Sequence, residues 1–145
     1  MTLLFPGSFD PFTLGHADLV ERALRLADQV IIAVGVNEQK TPFQPVADRL
    51  ALLRRLYAAD EHVRVVSYSG LTADLAQALH ADALLRGVRT VADYEYEMQM
   101  ADINRTLVGI DTILLPARPE LAAISSSMVR ELSHYGRDIT PFLPL

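Results

Sequence analysis

The sequence predicts an α/β fold, a doubly wound parallel sheet with helices on both faces. Short apolar runs alternate along the chain with segments of helical spacing. The runs are continuously apolar, as in "QVIIAVGV", which is typical of parallel strands covered by helices on both sides. The 145 residues show no internal repeat and no Gly/Ser linker, so we expect one domain, 1–145.

Five strands and five helices are expected in strict alternation. The predicted strands are Thr2–Phe5, Val30–Val36, Val63–Tyr68, Ala83–Leu85 and Thr112–Leu115. The predicted helices are His16–Ala27, Ala47–Ala59, Thr72–His80, Asp93–Leu107 and Ser127–His134. Strands joined through a crossover helix run parallel to each other. The order therefore predicts a Rossmann-like, doubly wound five-stranded parallel sheet with helices on both faces.

Composition excludes several classes of function. The 13 basic and 18 acidic side chains give a net charge of −5, which argues against a general binder of nucleic acid. The absence of cysteine excludes disulfides, thiolate catalysis and thiolate metal sites. The longest apolar run, Val30–Val36, is too short to span a bilayer, and the pattern of a signal peptide is missing. We expect a cytoplasmic protein that binds neither nucleic acid nor membrane.

The loops after the predicted strands are the expected place for a ligand, because doubly wound sheets bind ligands beyond the carboxyl ends of their strands. These positions are Pro6–His16, Lys40, Leu71–Thr72, Arg86–Arg89 and Ser125–Ser127. Three of these five loops supply a cation or a group that can become one, and two supply small hydroxyl residues. On an acidic chain, this collection indicates a local phosphate-binding site.

The first of these loops, "FPGSFDPFTLGH", is stiffened by its prolines and leads into a helix. We interpret Asp10 as a local acceptor of backbone N–H groups, not as a general base. Thr13 is predicted to cap the helix, whose first turn can bind an anion. His16 in that turn is disfavoured as a cation but well placed to donate a hydrogen bond to a phosphate oxygen. The alternative is that His16 is an ordinary surface residue of the helix.

Other signatures of phosphate or metal chemistry are missing from the sequence. There is no Walker loop, no G-x-G-x-x-G fingerprint and no H-E-x-x-H helix. His62, His80 and His134 have no partner pattern, and we interpret them as structural or exposed. Kinase, dehydrogenase and zinc-protease interpretations therefore lose their main support.

The predicted helix Asp93–Leu107 carries both acidic and apolar residues. Asp93 is interpreted as its cap, and Met98, Met100 and Ile103 as packing residues. The apolar residues of this helix fit a contact between subunits as well as they fit the core.

Three motifs carry a resemblance to a known family. "GSFDPFTLGH" and "ISSSMVRE", Ile124–Glu131, resemble the two signatures of the nucleotidyltransferase superfamily. With "RGVRTVADYEYE", Arg86–Glu97, the chain resembles the phosphopantetheine adenylyltransferase family from about Phe5 to Pro144. The resemblance implies adenylyl transfer from ATP to 4′-phosphopantetheine, giving dephospho-coenzyme A and pyrophosphate. It also implies direct in-line attack on the α-phosphorus without a covalent enzyme intermediate.

The resemblance implies a role for individual residues. His16 would donate to the α-phosphate in the transition state, and Lys40, Arg89 and Ser127 would complete the catalytic set. The ATP-binding residues that it implies are Ser8, Phe9, His16, Gly87, Val88, Arg89, Glu97, Leu121, Ala122, Ala123, Ile124, Ser125, Ser126 and Ser127. The acceptor-binding residues that it implies are Ser8, Lys40, Thr72 and Arg86.

The same resemblance implies cofactors and partners. Magnesium would accompany ATP and be held mainly by its phosphates, with no metal site of the protein's own. Coenzyme A would be an inhibitor, and the chain would assemble as a homohexamer.

Two other functions stay open at this point. A different nucleotidyltransferase, acting on nicotinate mononucleotide or making a cytidyl alcohol, would share both signatures but is not expected to carry "RGVRTVADYEYE". A non-catalytic nucleotide-binding module would bind ATP without needing His16, Lys40 and Arg86 together.

Overall fold

The computed structural model describes residues 1–144 and confirms the predicted α/β sheet. The strands are β1 (Thr2–Gly7), β2 (Gln29–Gly35), β3 (Val63–Tyr68), β4 (Ala83–Val88) and β5 (Asp111–Pro116). The α-helices are α1 (Leu14–Ala23), α2 (Val46–Leu56), α3 (Thr72–Ala78), α4 (Val91–Val108) and α5 (Ser126–His134). Short 3-10 helices cover Pro119–Leu121 and Thr140–Phe142.

All neighbouring strands are parallel, in the order β3-β2-β1-β4-β5. The chain moves outward from β1 to β3 on one side and then crosses to β4 on the other side of β1. Leu4 in β1 pairs with Ile31 on one side and with Leu84 on the other. This reversal places a crevice above the carboxyl ends of β1 and β4, where such folds bind ligands.

Successive residues of the central strands pack into two separate apolar cores. Leu3 and Phe5 join a core with α1 and α2, whereas Leu4 and Ile31 join a core with α3. Because side chains alternate between the two faces of a strand, both faces of β1 must be apolar. The unbroken apolar runs of the sequence are thereby explained.

Three strands extend further at their carboxyl ends than the sequence predicts, β5 by one residue and β1 and β4 by two or three. β1 continues through Gly7 and β4 through Val88, although Phe5 and Leu85 were expected to end them. Gly7 pairs with Val34, and Arg86 pairs with Leu114. Ladder pairing with apolar neighbours overrides the weak strand propensity of Pro6, Gly7 and Gly87.

Helix α4 differs from the prediction at its start and on its surface. Thr90, not Asp93, is its N-cap, because the Thr90 Oγ1 accepts a hydrogen bond from the Asp93 N–H at 3.1 Å. Met98 and Ile103, expected to pack, are instead 39% and 50% exposed. No helix within residues 1–144 is long and apolar enough to cross a membrane.

Gly7 is required by the close packing of Phe9 against it. A Cβ atom at position 7 would lie 2.9 Å from the Phe9 ring, which is itself held by Phe5, Phe12 and His16. We expect Gly7→Ala to lower the free energy of unfolding by about 1–3 kcal/mol, measured by urea denaturation. Gly15→Ala is the matched control, since its Cβ would meet no atom closer than 3.5 Å. Equal stability of the two variants would contradict this account.

Candidate active site

Two cavities adjoin each other at the carboxyl edge of the sheet. The His16 cavity, of about 330 Å³, lies among the loops after β1, β4 and β5. The Thr72 cavity, of about 270 Å³, lies among the loops after β1, β2 and β3 and the side of α4. The wall that they share contains Pro6, Gly7, Ser8, Arg86 and Glu97. Ligands that fill both cavities would therefore meet at this wall.

Local hydrogen bonds fix the orientation of the His16 ring. Thr13 is the N-cap of α1, as predicted, and its Oγ1 accepts from the His16 N–H at 3.4 Å. The Thr13 N–H donates in return to His16 Nδ1 at 3.0 Å. Because Nδ1 is the acceptor, the proton of the neutral ring resides on Nε2. His16 therefore offers Nε2–H as a donor in the cavity that it lines.

Three phenylalanine rings enclose His16 and keep it neutral. Its ring centroid lies 5.0 Å from that of Phe9 and 5.4 Å from that of Phe12, with Phe5 at 6.2 Å. Burial, assisted by positive charge on Arg86 and Arg89, lowers the pKa of His16 from 6.5 to about 4. The alternative that His16 is an ordinary surface residue is therefore wrong.

The low pKa of His16 predicts a pH dependence of stability. Between about pH 6.5 and 4, His16 binds a proton in the unfolded chain but not in the folded chain. The contribution of neutral His16 to the free energy of unfolding is therefore fully present above this range and is lost as the pH falls through it. In urea denaturation, native protein should lose more free energy of unfolding between about pH 7 and 5 than His16→Gln does. An equal loss in both proteins would show that His16 titrates normally in the folded state.

The second serine motif forms the start of α5, one residue earlier than predicted. Ser125 is the N-cap, and its Oγ accepts from the Met128 N–H at 3.1 Å. The Ser126 Oγ donates to the Pro11 carbonyl at 2.8 Å, which fastens α5 to the first loop. Ser125, Ser126 and Ser127 all line the His16 cavity. The first turns of α1 and α5 thus supply two helix N-termini to one cavity.

Arg86 and Glu97 form a close ion pair in the shared wall. Arg86 Nε and Nη2 donate to the Glu97 carboxylate at 2.8–3.1 Å, and Nη1 donates to the Pro6 carbonyl at 2.6 Å. Glu97 is 5% exposed. The pair holds the guanidinium in place at the junction of the cavities. Both carboxylate oxygens of Glu97, expected on the ribose side of the nucleotide, are engaged by Arg86.

The structure brings most of the other expected residues together. The His16 cavity is also lined by Phe9, Gly87, Val88, Arg89, Leu121 and Ile124. Thr72 lines the other cavity, with its Oγ1 2.9 Å from the Tyr68 hydroxyl. Ala122 and Ala123 line neither cavity.

Lys40 is the one residue of the expected catalytic set that lines neither of the two cavities. It is exposed in the loop after β2 and lines neither cavity, although Asn37 in the same loop lines the Thr72 cavity. Its role in acceptor binding stays a prediction.

Asp10 is an acceptor of backbone N–H groups, but not a local one. Its two carboxylate oxygens accept from the N–H groups of Phe43 and Gln44, each at 2.8 Å. The expected contact within its own turn is therefore wrong, because the carboxylate ties the first loop to the loop before α2.

The sequence analysis missed several residues of the His16 cavity. Arg130 lines it, and its Nη2 donates to the Ser127 Oγ at 3.3 Å. The three-residue spacing on a helix was a signal that could have found Arg130. Asp18 and Arg118 also line the His16 cavity, and Arg118 Nε lies 2.8 Å from Asp18 Oδ1. These two residues are 100 positions apart in the sequence, so no local spacing indicates the pair.

Comparisons with known proteins identify the family of this chain. The family model described as "Cytidylyltransferase-like" matches residues 4–132. The phosphopantetheine adenylyltransferases of Phocaeicola vulgatus and Porphyromonas gingivalis are each 52% identical over 97% of this chain, covering 93% and 92% of those relatives.

A solved structure shows the same fold at low sequence identity. The bifunctional NMN adenylyltransferase/ADP ribose pyrophosphatase from Francisella tularensis superposes with a TM-score of 0.72 at 15% identity over 98% of this chain. This chain spans only 44% of that protein's length. The likeness supports the fold, while the sequence relatives decide the family. The chain belongs to the phosphopantetheine adenylyltransferase family of nucleotidyltransferases.

Proposed function

We propose that the chain transfers the adenylyl group of ATP to 4′-phosphopantetheine, giving dephospho-coenzyme A and pyrophosphate. The family supports this reaction. The observation that carries it is the pair of cavities that meet at Ser8 and Arg86. Two large substrates, each with a phosphate to be joined to the other, need such an arrangement.

ATP occupies the His16 cavity with its phosphates against the first turns of α1 and α5. Free N–H groups and the helix dipoles of these turns favour the triphosphate. His16 Nε2–H donates to an oxygen of the α-phosphate, where negative charge increases in the transition state. A neutral donor suits this task, since it binds the oxygen through a hydrogen bond and no proton is transferred. Arg89 and Ser127 complete the donor set.

4′-Phosphopantetheine occupies the Thr72 cavity with its phosphate at Ser8 and Arg86. A phosphate oxygen attacks the α-phosphorus in line, the new P–O bond forms, and the bond to pyrophosphate breaks with its electron pair on the leaving oxygen. The phosphate is already an anion, so the step needs no general base. The enzyme contributes positioning and charge stabilisation, with no covalent intermediate. Lys40 adds a second cation for the acceptor phosphate.

Magnesium fits this site as a partner of ATP. The carboxylates that line the His16 cavity are Asp18, Asp93 and Glu97, and arginines pair with all three. Among residues 1–144, no group of three or more His, Asp or Glu side chains could hold a metal ion. We therefore propose that the phosphates of ATP hold the ion, which neutralises part of the triphosphate charge.

Pyrophosphate release tests the proposed function. ATP and magnesium are supplied with 4′-phosphopantetheine, with nicotinate mononucleotide, or with no acceptor. Release with 4′-phosphopantetheine alone is the expected result. Release with nicotinate mononucleotide instead would identify a different nucleotidyltransferase. ATP binding without release under any condition would contradict the enzyme and favour a nucleotide-binding module.

We propose that the reaction takes place in the cytoplasm, where ATP is abundant.

We further propose that coenzyme A inhibits the enzyme. Coenzyme A contains the whole of the reaction product and so fits both cavities. Its inhibition should be relieved by raising either substrate, and inhibition that neither substrate relieves would contradict binding at this site.

The resemblance to the family implies a homohexamer, and we propose that the exposed apolar residues of α4 contribute to contacts between its subunits. Val91, Tyr94, Met98, Ile103 and Leu107 are 39–75% exposed on this helix, an unusual apolar content for a free surface. Light scattering during gel filtration should give a mass of about six chains, whereas a monomer mass would contradict the proposal.

A further inference from the structure

The buried carboxylate of Asp10 binds the end of the loop that carries Lys40. Asp10 is only 8% exposed. Its two carboxylate oxygens accept hydrogen bonds from the N–H groups of Phe43 and Gln44, each at 2.8 Å. These residues lie three and four positions after Lys40. The carboxylate thus fixes the last part of the connection from β2 to α2.

Arg49 also binds the end of this loop, through the Gln44 carbonyl. Its Nε donates to the Gln44 carbonyl at 3.0 Å and lies 3.9 Å from the nearer Asp10 oxygen. Its Nη1 donates to the Ser8 carbonyl at 2.7 Å, and Arg49 is only 5% exposed. One guanidinium therefore joins the Lys40 loop to the wall shared by the two cavities.

The other end of the loop is fixed by the sheet. The Val36 N–H donates to the Tyr68 carbonyl at 2.9 Å. Within the loop, the Lys40 N–H donates to the Asn37 carbonyl at 3.2 Å. The position of Lys40 relative to Ser8 is thus set by the sheet at one end and by Asp10 and Arg49 at the other.

We infer that Asp10 and Arg49 are a positioning pair that sets the distance between Lys40 and Ser8, and thereby the affinity for the phosphate of the acceptor. Neither Asp10 nor Arg49 lines the His16 cavity or the Thr72 cavity, so the pair acts through Lys40 and Ser8 and not by touching a ligand there. This inference rests on the proposed function, in which Lys40 and Ser8 bind the acceptor phosphate.

Asp10→Asn tests the inference with little change of shape. The amide keeps one acceptor oxygen but places an NH2 group against a backbone N–H that needs an acceptor. The Arg130 contact is retained, because it is made to the Asp10 main-chain carbonyl. We expect the KM for 4′-phosphopantetheine to rise about tenfold and the Kd for ATP to stay within about twofold of the native value.

Asp60→Asn is the matched control. The Asp60 carboxylate also accepts from a backbone N–H, that of His62 at 2.9 Å, but it lies before the amino end of β3, opposite the cavities. This variant should change neither constant. Should Asp10→Asn behave like Asp60→Asn, the inference is overturned.

A double-variant cycle with Lys40→Ala distinguishes positioning from a general loss of structure. In the Lys40→Ala background, the Asp10→Asn change should raise the acceptor KM by less than about twofold, because the cation being positioned is already gone. An undiminished tenfold rise in that background would contradict action through Lys40.

Two further measurements keep the outcome decisive. Urea denaturation shows whether Asp10→Asn is folded, and if it is not, Arg49→Lys replaces it, since lysine keeps the charge but cannot reach both carbonyls as the guanidinium does. An unchanged acceptor KM in folded Arg49→Lys would then overturn the inference. Failure of the proposed function is recognised separately, because the native chain would then release no pyrophosphate with 4′-phosphopantetheine.

Discussion

Replacing His16 with alanine will lower kcat by about 10²–10³ while the Kd for ATP changes much less. The reason is that Nε2–H donates to an oxygen whose negative charge increases only as the transition state is approached. Binding of ground-state ATP depends mainly on the helix N-termini and arginines around the triphosphate. Stopped-flow or steady-state pyrophosphate release gives the rate, and direct titration gives the affinity.

Two controls separate the loss of the donor from the loss of the capping contact. His16→Asn supplies an acceptor for the Thr13 N–H, as Nδ1 does in the native chain, but its shorter side chain places no donor at the position of Nε2. It should be as slow as His16→Ala. His134→Ala changes an exposed histidine near the end of α5 and should be fully active. Native rates for both His16 variants would remove His16 from the mechanism.

Replacing Arg86 with alanine will reduce stability and acceptor binding together. The change leaves the Glu97 carboxylate buried without its partner, which costs about 3 kcal/mol, at the low end for buried pairs because the Arg86 side chain is 33% exposed. It also removes the cation from the wall between the cavities, so the KM for 4′-phosphopantetheine should rise at least about tenfold. Urea denaturation and steady-state kinetics measure the two effects.

The double variant Arg86→Met/Glu97→Gln separates these two effects. Removing the charge of both partners should restore most of the free energy of unfolding, because no ion is left unpaired in the wall. The acceptor KM should stay high, because no cation has been restored. Recovery of the KM along with the stability would mean that Arg86 serves the fold alone.

The sequence predicted the fold because its strands are apolar on both faces. The runs around Leu3–Phe5 and Val30–Val34 can only belong to the inside of a layered sheet, and both are buried there. The ends of the strands were less predictable. Pro6, Gly7 and Gly87 have poor strand propensity, and they continue their strands because a neighbouring strand pairs with them.

Local contacts of the site were predictable, whereas long-range contacts were not. The cap of α1 by Thr13 follows from a spacing of three residues. The partners of Asp10 lie 33 and 34 residues away, and nothing in the local sequence indicates them. The apolar residues of α4 predicted a buried face of the helix. The local sequence did not indicate that Met98 and Ile103 lie on the surface.

The stereochemistry of transfer shows whether the adenylyl group passes directly from ATP to 4′-phosphopantetheine. ATP carrying a chiral sulfur-substituted α-phosphate is allowed to react with 4′-phosphopantetheine, and the configuration at phosphorus is determined in the dephospho-coenzyme A analogue that forms. A single in-line displacement between substrates held in adjoining cavities predicts inversion. Retention would require two displacements through an adenylylated enzyme, and would contradict direct transfer across the wall formed by Ser8 and Arg86.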